Sequence, residues 1–157
     1  MIENGNQIIP FNRPGNKPTV ALIDQKELKA MIREKINQFQ DEGFQTIAII
    51  CRTAEGSAKA YELLQNEFHV HLIEKATLSY EKGILIIPSY LAKGIEFDAV
   101  IVYDSSQYAR ESERKLFYTV CTRAMHKLHL FATEGITSLM KQVPTELYSI
   151  EQVKSHY

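Results

Sequence analysis

Short runs of continuous apolar residues alternate along the chain with longer segments in which apolar residues recur every three or four positions. Continuous β-branched runs suit strands buried on both faces, and the longer period suits helices that lay one face on a core. Thr19–Ile23 is the first such run and predicts a strand that ends at Asp24. From Gln25 to Asp41, the spacing of Leu28, Met31, Ile32, Ile36 and Phe39 predicts a helix, stopped by Gly43. Thr46–Cys51 predicts a second strand, and Ser57–Phe68 a second helix with Tyr61, Leu64 and Phe68 on one side. Val70–Ile73, Ile84–Ile87 and Ala99–Tyr103 read as further strands, the second of them ended by Pro88. Glu111–Met125 predicts a helix with Leu116, Phe117, Val120 and Ala124 facing inward; Lys127–Ala132 predicts a strand and Ile136–Lys141 a short helix.

Strands that alternate with helices in this way predict an α/β domain with a mostly parallel sheet and helices on both faces. Residues 1–18 hold Gly5, Pro10, Pro14, Gly15 and Pro18 and read as an irregular lead-in. The expected domain is then 19–145, with 146–157 as a C-terminal tail. A lead-in of that composition implies a domain separated from something upstream.

Composition narrows the function classes. A chain of 157 residues, 45% apolar and 24% charged, suits one soluble globular domain. Its net charge of −1 argues against a freestanding nonspecific nucleic-acid binder. It leaves room for a domain that supplies a few contacts to a strand gripped mainly by others. Cys51 and Cys121 are too few for a disulfide framework, which predicts reduced thiols in a cytoplasmic protein. No apolar run approaches the ~20 residues of a membrane span, and Met1 to Pro10 lack a secretion signal. The pairs His69/His71 and His126/His129 have no third ligand at a defined spacing, so surface histidines and no metal site are expected. Asp41-Glu42 follows polar Gln38 and Gln40 and reads as a solvated helix end.

In open α/β sheets, ligands bind beyond the carboxyl ends of the strands. That rule singles out Arg52-Thr53, Pro88–Asp98 and Asp104-Ser105. The segment Ser89–Asp98 is the most unusual, with Lys93, Gly94, Glu96 and Asp98 in a loop between two buried strands. The chain contains neither GxxxxGK[ST] nor GxGxxG, so it cannot cradle a nucleoside triphosphate alone by that device.

Two segments carry a resemblance. Ile86–Val102, with Ala92-Lys93-Gly94-Ile95-Glu96-Phe97 at its centre, resembles motif V of the UvrD/Rep-type superfamily 1 helicases, which reads AKGLEF before an apolar strand. Glu113–Ala124 resembles motif VI, which reads ERRLxYVAxTRA. Their order and separation match the family, and Ile47–Thr53 resembles the strand-plus-arginine element upstream. The form Pro88-Ser89-Tyr90-Leu91 resembles most the HelD branch, which acts on bacterial RNA polymerase. The resemblance covers roughly residues 19–140. It implies a RecA-like, P-loop NTPase-type domain without its own Walker A loop, the second of two motor domains with ATP bound between them. The phosphate loop and the Mg²⁺ ligands would lie in the missing first motor domain, the principal partner. The family's motif IV arginine is absent here.

The resemblance also implies roles. Arg123 would be the arginine finger on the γ-phosphate, a forked and permanent positive charge where hydrolysis builds negative charge. Glu96 would accept from a ribose hydroxyl, and Gly94 would allow close backbone approach. Lys93 would sense phosphate or stabilise the loop. Ser89 and Tyr90 would touch single-stranded nucleic acid, by a phosphate contact and by base stacking. Family members usually carry Thr and His where this chain has Pro88 and Tyr90, which puts strand tracking, but not the ATP side, in question. Arg52 either faces the cleft or binds a neighbouring acid, Tyr118 packs, and Glu111–Lys115 is expected to be a solvated helix start. The reading is an ATP-dependent DNA helicase or translocase. Its rivals are a HelD-like ATPase that remodels RNA polymerase and a binding module that has lost catalysis.

Overall fold

The computed structural model describes residues 16–75, 77 and 82–153. Among these described residues, seven parallel strands form a single sheet in the order β3-β4-β2-β5-β6-β1-β7. They are β1 (Thr19–Leu22), β2 (Thr46–Cys51), β3 (Val70–Leu72), β4 (Gly83–Pro88), β5 (Phe97–Val102), β6 (Ala124–Ala132) and β7 (Ser149–Gln152). The helices are α1 (Leu28–Asp41), α2 (Ala54–Leu64), α3 (Arg114–Cys121) and the single turn α4 (Ser138–Lys141).

The alternation of side chains along a strand explains why the central runs are apolar throughout. In β2, Ile47, Ile49 and Cys51 join Leu28, Ile32, Ile36 and Phe39 of α1 and Ala60 and Leu64 of α2 in one core. Ala48 and Ile50 point the other way, into a second core with Phe117 and Val120 of α3 and Leu139 and Met140 of α4. The expected parallel sheet covered on both faces is therefore the observed one.

Several boundaries differ, each for a local reason. Helix α2 starts at Ala54, because the Thr53 hydroxyl accepts from the Gly56 amide at 3.0 Å and caps the first turn. Helix α3 stops at Cys121 although apolar spacing continues to Ala124. Thr122 closes the last turn, and Ala124 already pairs with Phe97 as the first residue of β6. Ser149–Gln152 lies in the segment expected as a tail, yet it forms β7 and pairs with β1 from Thr19↔Ser149 to Leu22↔Gln152. The lead-in is described only from Asn16 onward, so residues 1–15 lie outside the described residues, as do 154–157.

One histidine departs from expectation. His69 and His126 are exposed, but His129 in β6 is 4% exposed, its ring 4.7 Å from that of Phe131. Burial, reinforced by the nearby Lys35 charge, pulls the His129 pKa down to about 3. Folded His129 thus stays neutral where an unfolded histidine takes up a proton near ~6.5. Acid therefore favours the unfolded chain, and stability falls as pH drops from ~6.5 toward 3, by up to about 1.4 kcal/mol per unit. Urea denaturation at pH 7 and pH 5 should show this loss in the wild type and a smaller one in His129→Phe. Equal losses in both would overturn the assignment.

Candidate nucleotide and nucleic-acid site

Because every strand runs the same way, the sheet has one rim of carboxyl ends and one of amino ends. Arg52 and Ser89 follow β2 and β4 on the carboxyl rim, whereas Glu96 and Arg123 precede β5 and β6 on the amino rim. Residues 89–96 run from one rim to the other. A 3-10 turn at Ser89–Leu91 starts this segment, buried Ala92 anchors it and Phe97 enters the sheet. The rule that placed all of Pro88–Asp98 at the carboxyl ends therefore holds for its first residues and fails for Glu96, because a parallel crossover must return across the sheet.

On the amino rim, the Phe97 amide donates to the Arg123 carbonyl at 2.9 Å, so the ends of the two motifs are neighbours. The Arg123 guanidinium is half-buried. Its Nε donates to the Thr119 carbonyl at 3.0 Å, Nη2 to Thr122 Oγ1 at 3.1 Å and Nη1 toward the Ile95 carbonyl at 3.5 Å. These acceptors fix the plane of the fork and leave N–H donors on both terminal nitrogens for an outside oxygen. The pairing of β5 with β6 shifts register between Phe97↔Ala124 and Ala99↔Lys127, immediately after Arg123. Glu96, Lys93 and Gly94 are exposed on the same segment.

Asp98 fixes this rim to the centre of the sheet. Its carboxylate accepts from the Gln45 and Thr46 amides at 2.9 and 3.2 Å, and its own amide donates to Thr46 Oγ1 at 2.8 Å. Sequence reasoning named Asp98 only as one of the carboxylates in the loop; its reciprocal bonds with Thr46 depend on a pairing between segments far apart in the chain.

On the carboxyl rim, Ser89 is 1% exposed and its hydroxyl donates to the Arg52 carbonyl at 2.7 Å. Its side chain anchors the loop from within. Tyr90 beside it is 54% exposed and lines an open groove of about 210 Å³ with Ala54 and Ser57 of α2 and with Lys75. Pro88 closes β4, opposite Cys51 of β2, where a missing N–H is tolerated. Tyr118 is half-buried against the core of α3, with its ring 6.2 Å from Phe117, in keeping with packing.

The two readings of Arg52 are resolved: its Nε donates to the Glu113 carboxylate at 2.5 Å. The expectation that Glu111–Lys115 is solvated fails at Glu113, whose side chain is 13% exposed. Burial raises the Glu113 pKa, but the Arg52 hydrogen bond and the Arg110 amide outweigh that and hold it below the usual carboxylate value. Buried Asp104, on the same rim, accepts from the Ser106 and Thr133 amides and from both their hydroxyls, which joins the ends of β5 and β6. Cys51 and Cys121 are both buried, and burial pushes the Cys51 pKa up to about 12, which disfavours its thiolate. Among the described residues, no group of three or more His, Cys, Asp or Glu could hold a metal ion, and no helix is long and apolar enough to cross a membrane.

A seven-stranded parallel sheet with helices on both faces is the architecture of RecA-like helicase C-terminal domains. The family model described as the UvrD-like helicase C-terminal domain matches residues 83–131, from β4 into β6. The C-terminal domain of a possible DNA helicase from Lactobacillus plantarum WCFS1 is 33% identical over 88% of this chain and 88% of that one, with a TM-score of 0.76. The chain belongs to the UvrD-like helicase C-terminal domain family. Its fold is shared with domain 2 of the DEAD-box helicase Mss116p, solved bound to an RNA duplex (16% identity, 90% and 65% coverage, TM-score 0.60). It is shared as well with the UvsW helicase of bacteriophage T4 (12% identity, 92% and 57% coverage, TM-score 0.58). No curated protein gave a match.

Gly94 has φ +83°, a left-handed conformation, and an added Cβ there would meet no atom within 4 Å. The cost of a side chain is then backbone strain alone. Gly94→Ala should lower the unfolding free energy by about 1–2 kcal/mol, and Gly94→Asn by less. Denaturant midpoints for both variants test this; an unchanged Gly94→Ala midpoint would refute it.

Proposed function

We propose that this chain is the second motor domain of an ATP-dependent superfamily 1 DNA helicase or translocase. The observation that carries the reading is the juxtaposition of the Glu96 segment and Arg123 on one rim, with exposed Tyr90 on the other rim of the same connecting segment. The amino rim would face ATP held by the first motor domain, which supplies the phosphate loop and the Mg²⁺ ligands. Glu96 would accept from the ribose, Gly94 would let the backbone approach, and Lys93 would sit near phosphate or steady the loop. Arg123 would place its fork on the γ-phosphoryl oxygens, where such a residue is worth ~10³–10⁵ in rate.

On the carboxyl rim, Tyr90 would stack on a base of single-stranded nucleic acid beside the α2 groove, with Ser89 holding the loop. The segment 89–96 then links strand contact to nucleotide contact, which is what turning hydrolysis into movement needs. Two buried cysteines, too few for a disulfide framework, fit a reducing, cytoplasmic setting. A second reading, a HelD-like ATPase that remodels RNA polymerase, is favoured by Pro88 and Tyr90 in place of the usual Thr and His. The discriminating measurement is stimulation of ATPase by a single-stranded oligonucleotide: the helicase reading requires it.

In the protein containing both motor domains, Arg123→Ala should lower kcat by about 10³ or more while leaving nucleotide affinity within about tenfold. Arg123→Lys should recover little, because an ammonium lacks the planar fork. Steady-state ATPase and fluorescent-nucleotide titration check both; retention of more than about half of kcat in Arg123→Ala would move the non-catalytic module to first place.

The domain alone should hydrolyse no ATP, because the groups that hold the phosphates and Mg²⁺ are elsewhere. Turnover by the purified domain above a buffer blank would contradict the two-domain reading.

A further inference from the structure

Helix α3 is tied to the segment 89–96 at both ends. At its far end, Arg123 bonds the Thr119 carbonyl of the helix and reaches the Ile95 carbonyl of the segment. At its near end, the tie runs through two other residues. Ser89 Oγ donates to the Arg52 carbonyl, Arg52 Nε donates to the Glu113 carboxylate, and Glu113 immediately precedes α3. Glu113 Oε1 also accepts from the Arg110 amide at 3.3 Å, which locks the carboxylate to the turn that opens the helix. The helix between these ties is a rigid rod about 12 Å long.

The magnitude of the pair's contribution decides how to read it. The Arg52 side chain is 34% exposed and Glu113 13% exposed, and a partly exposed pair contributes at most about 1 kcal/mol. The fully buried Phe117, Val120 and Cys121 already hold α3 to the sheet. The domain therefore does not need the ion pair in order to fold. What the pair does set is the position of the start of α3 relative to the loop that carries Tyr90, across a sequence separation of 61 residues.

Building on the helicase reading above, we infer that Arg52 and Glu113 are positioning residues that couple the nucleic-acid loop to Arg123 through helix α3. A displacement of the Tyr90 loop moves the Arg52 backbone through Ser89. The ion pair passes that displacement to the start of α3, and the rigid helix carries it to the guanidinium on the opposite rim. Neither residue touches the nucleotide.

The test uses the protein containing both motor domains, with ATPase measured in the presence and absence of a single-stranded DNA oligonucleotide. Glu113→Gln keeps the size of the side chain and removes its charge. Arg52→Gln removes the other partner and leaves the carbonyl that Ser89 bonds. Each should lower the ratio of stimulated to unstimulated rate about tenfold. The double variant Arg52→Glu/Glu113→Arg restores opposite charges and should recover much of that ratio. Single variants within about twofold of the wild-type ratio overturn the inference, as does a double variant no better than the singles. So does a ratio that follows loss of the melting temperature and not the charge of the pair. A wild-type protein with no stimulation refutes the helicase reading and takes this inference with it. Normal stimulation in the wild type and in every variant refutes this inference alone.

Discussion

The parallel direction of all seven strands is the constraint on which the rest of the molecule depends. Each connection between parallel neighbours must start at one rim of the sheet and finish at the other. Two such connections, residues 89–96 and helix α3, cross the sheet and bring Glu96 and Arg123 together on the amino rim. The same crossing leaves Ser89, Tyr90 and Arg52 on the carboxyl rim. Two chemically different surfaces, joined by connections that cross the sheet, are thus a result of topology before any particular side chain is considered.

The side chains then refine what topology provides. Asp98 ties the end of the first connection to β2 through Thr46, and Asp104 ties β5 to Thr133 after β6. Both carboxylates accept backbone amides, and that of Asp104 also accepts the Ser106 and Thr133 hydroxyls, which is how a buried or half-buried acid is kept satisfied. Arg52 and Glu113 differ from these two. Theirs is the bond in which both partners are charged side chains and in which the elements joined belong to different parts of the proposed coupling path.

Much of the fold was legible because burial on both faces leaves a simple mark. Thr46–Cys51 was read with its observed bounds, and the runs in β4 and β5 were found to within a few residues, since each inward position on either face had to be apolar. The end of α3 was not legible: Val120, Cys121 and Ala124 continue a helical spacing, and only the pairing of Ala124 with Phe97 ends it. β7 was not legible either, because its residues are all exposed and its strand form depends on the free edge of β1. His129 was misread because a histidine spaced like a surface residue reveals nothing of the Phe131 ring and the Lys35 charge beside it. Residue types and motif resemblance named Arg123 and Glu96, but the rule about carboxyl ends misplaced Glu96, which precedes β5 on the amino rim. The ion pair of Arg52 and Glu113 joins residues too distant in the chain for spacing to expose.

The Asp98 clamp gives the crossing segment an uneven compliance. Its amino-rim end runs into Asp98, which three hydrogen bonds hold to β2 and the residue before it, while its start is held by the Ser89 hydroxyl bond to Arg52 and by the packing of Leu91 and Ala92. Between them lies Gly94, the residue with the widest backbone freedom in the segment. The segment is therefore fixed at its amino-rim end and free to adjust nearer Tyr90, so a change in the spacing of the two rims would be taken up before Gly94.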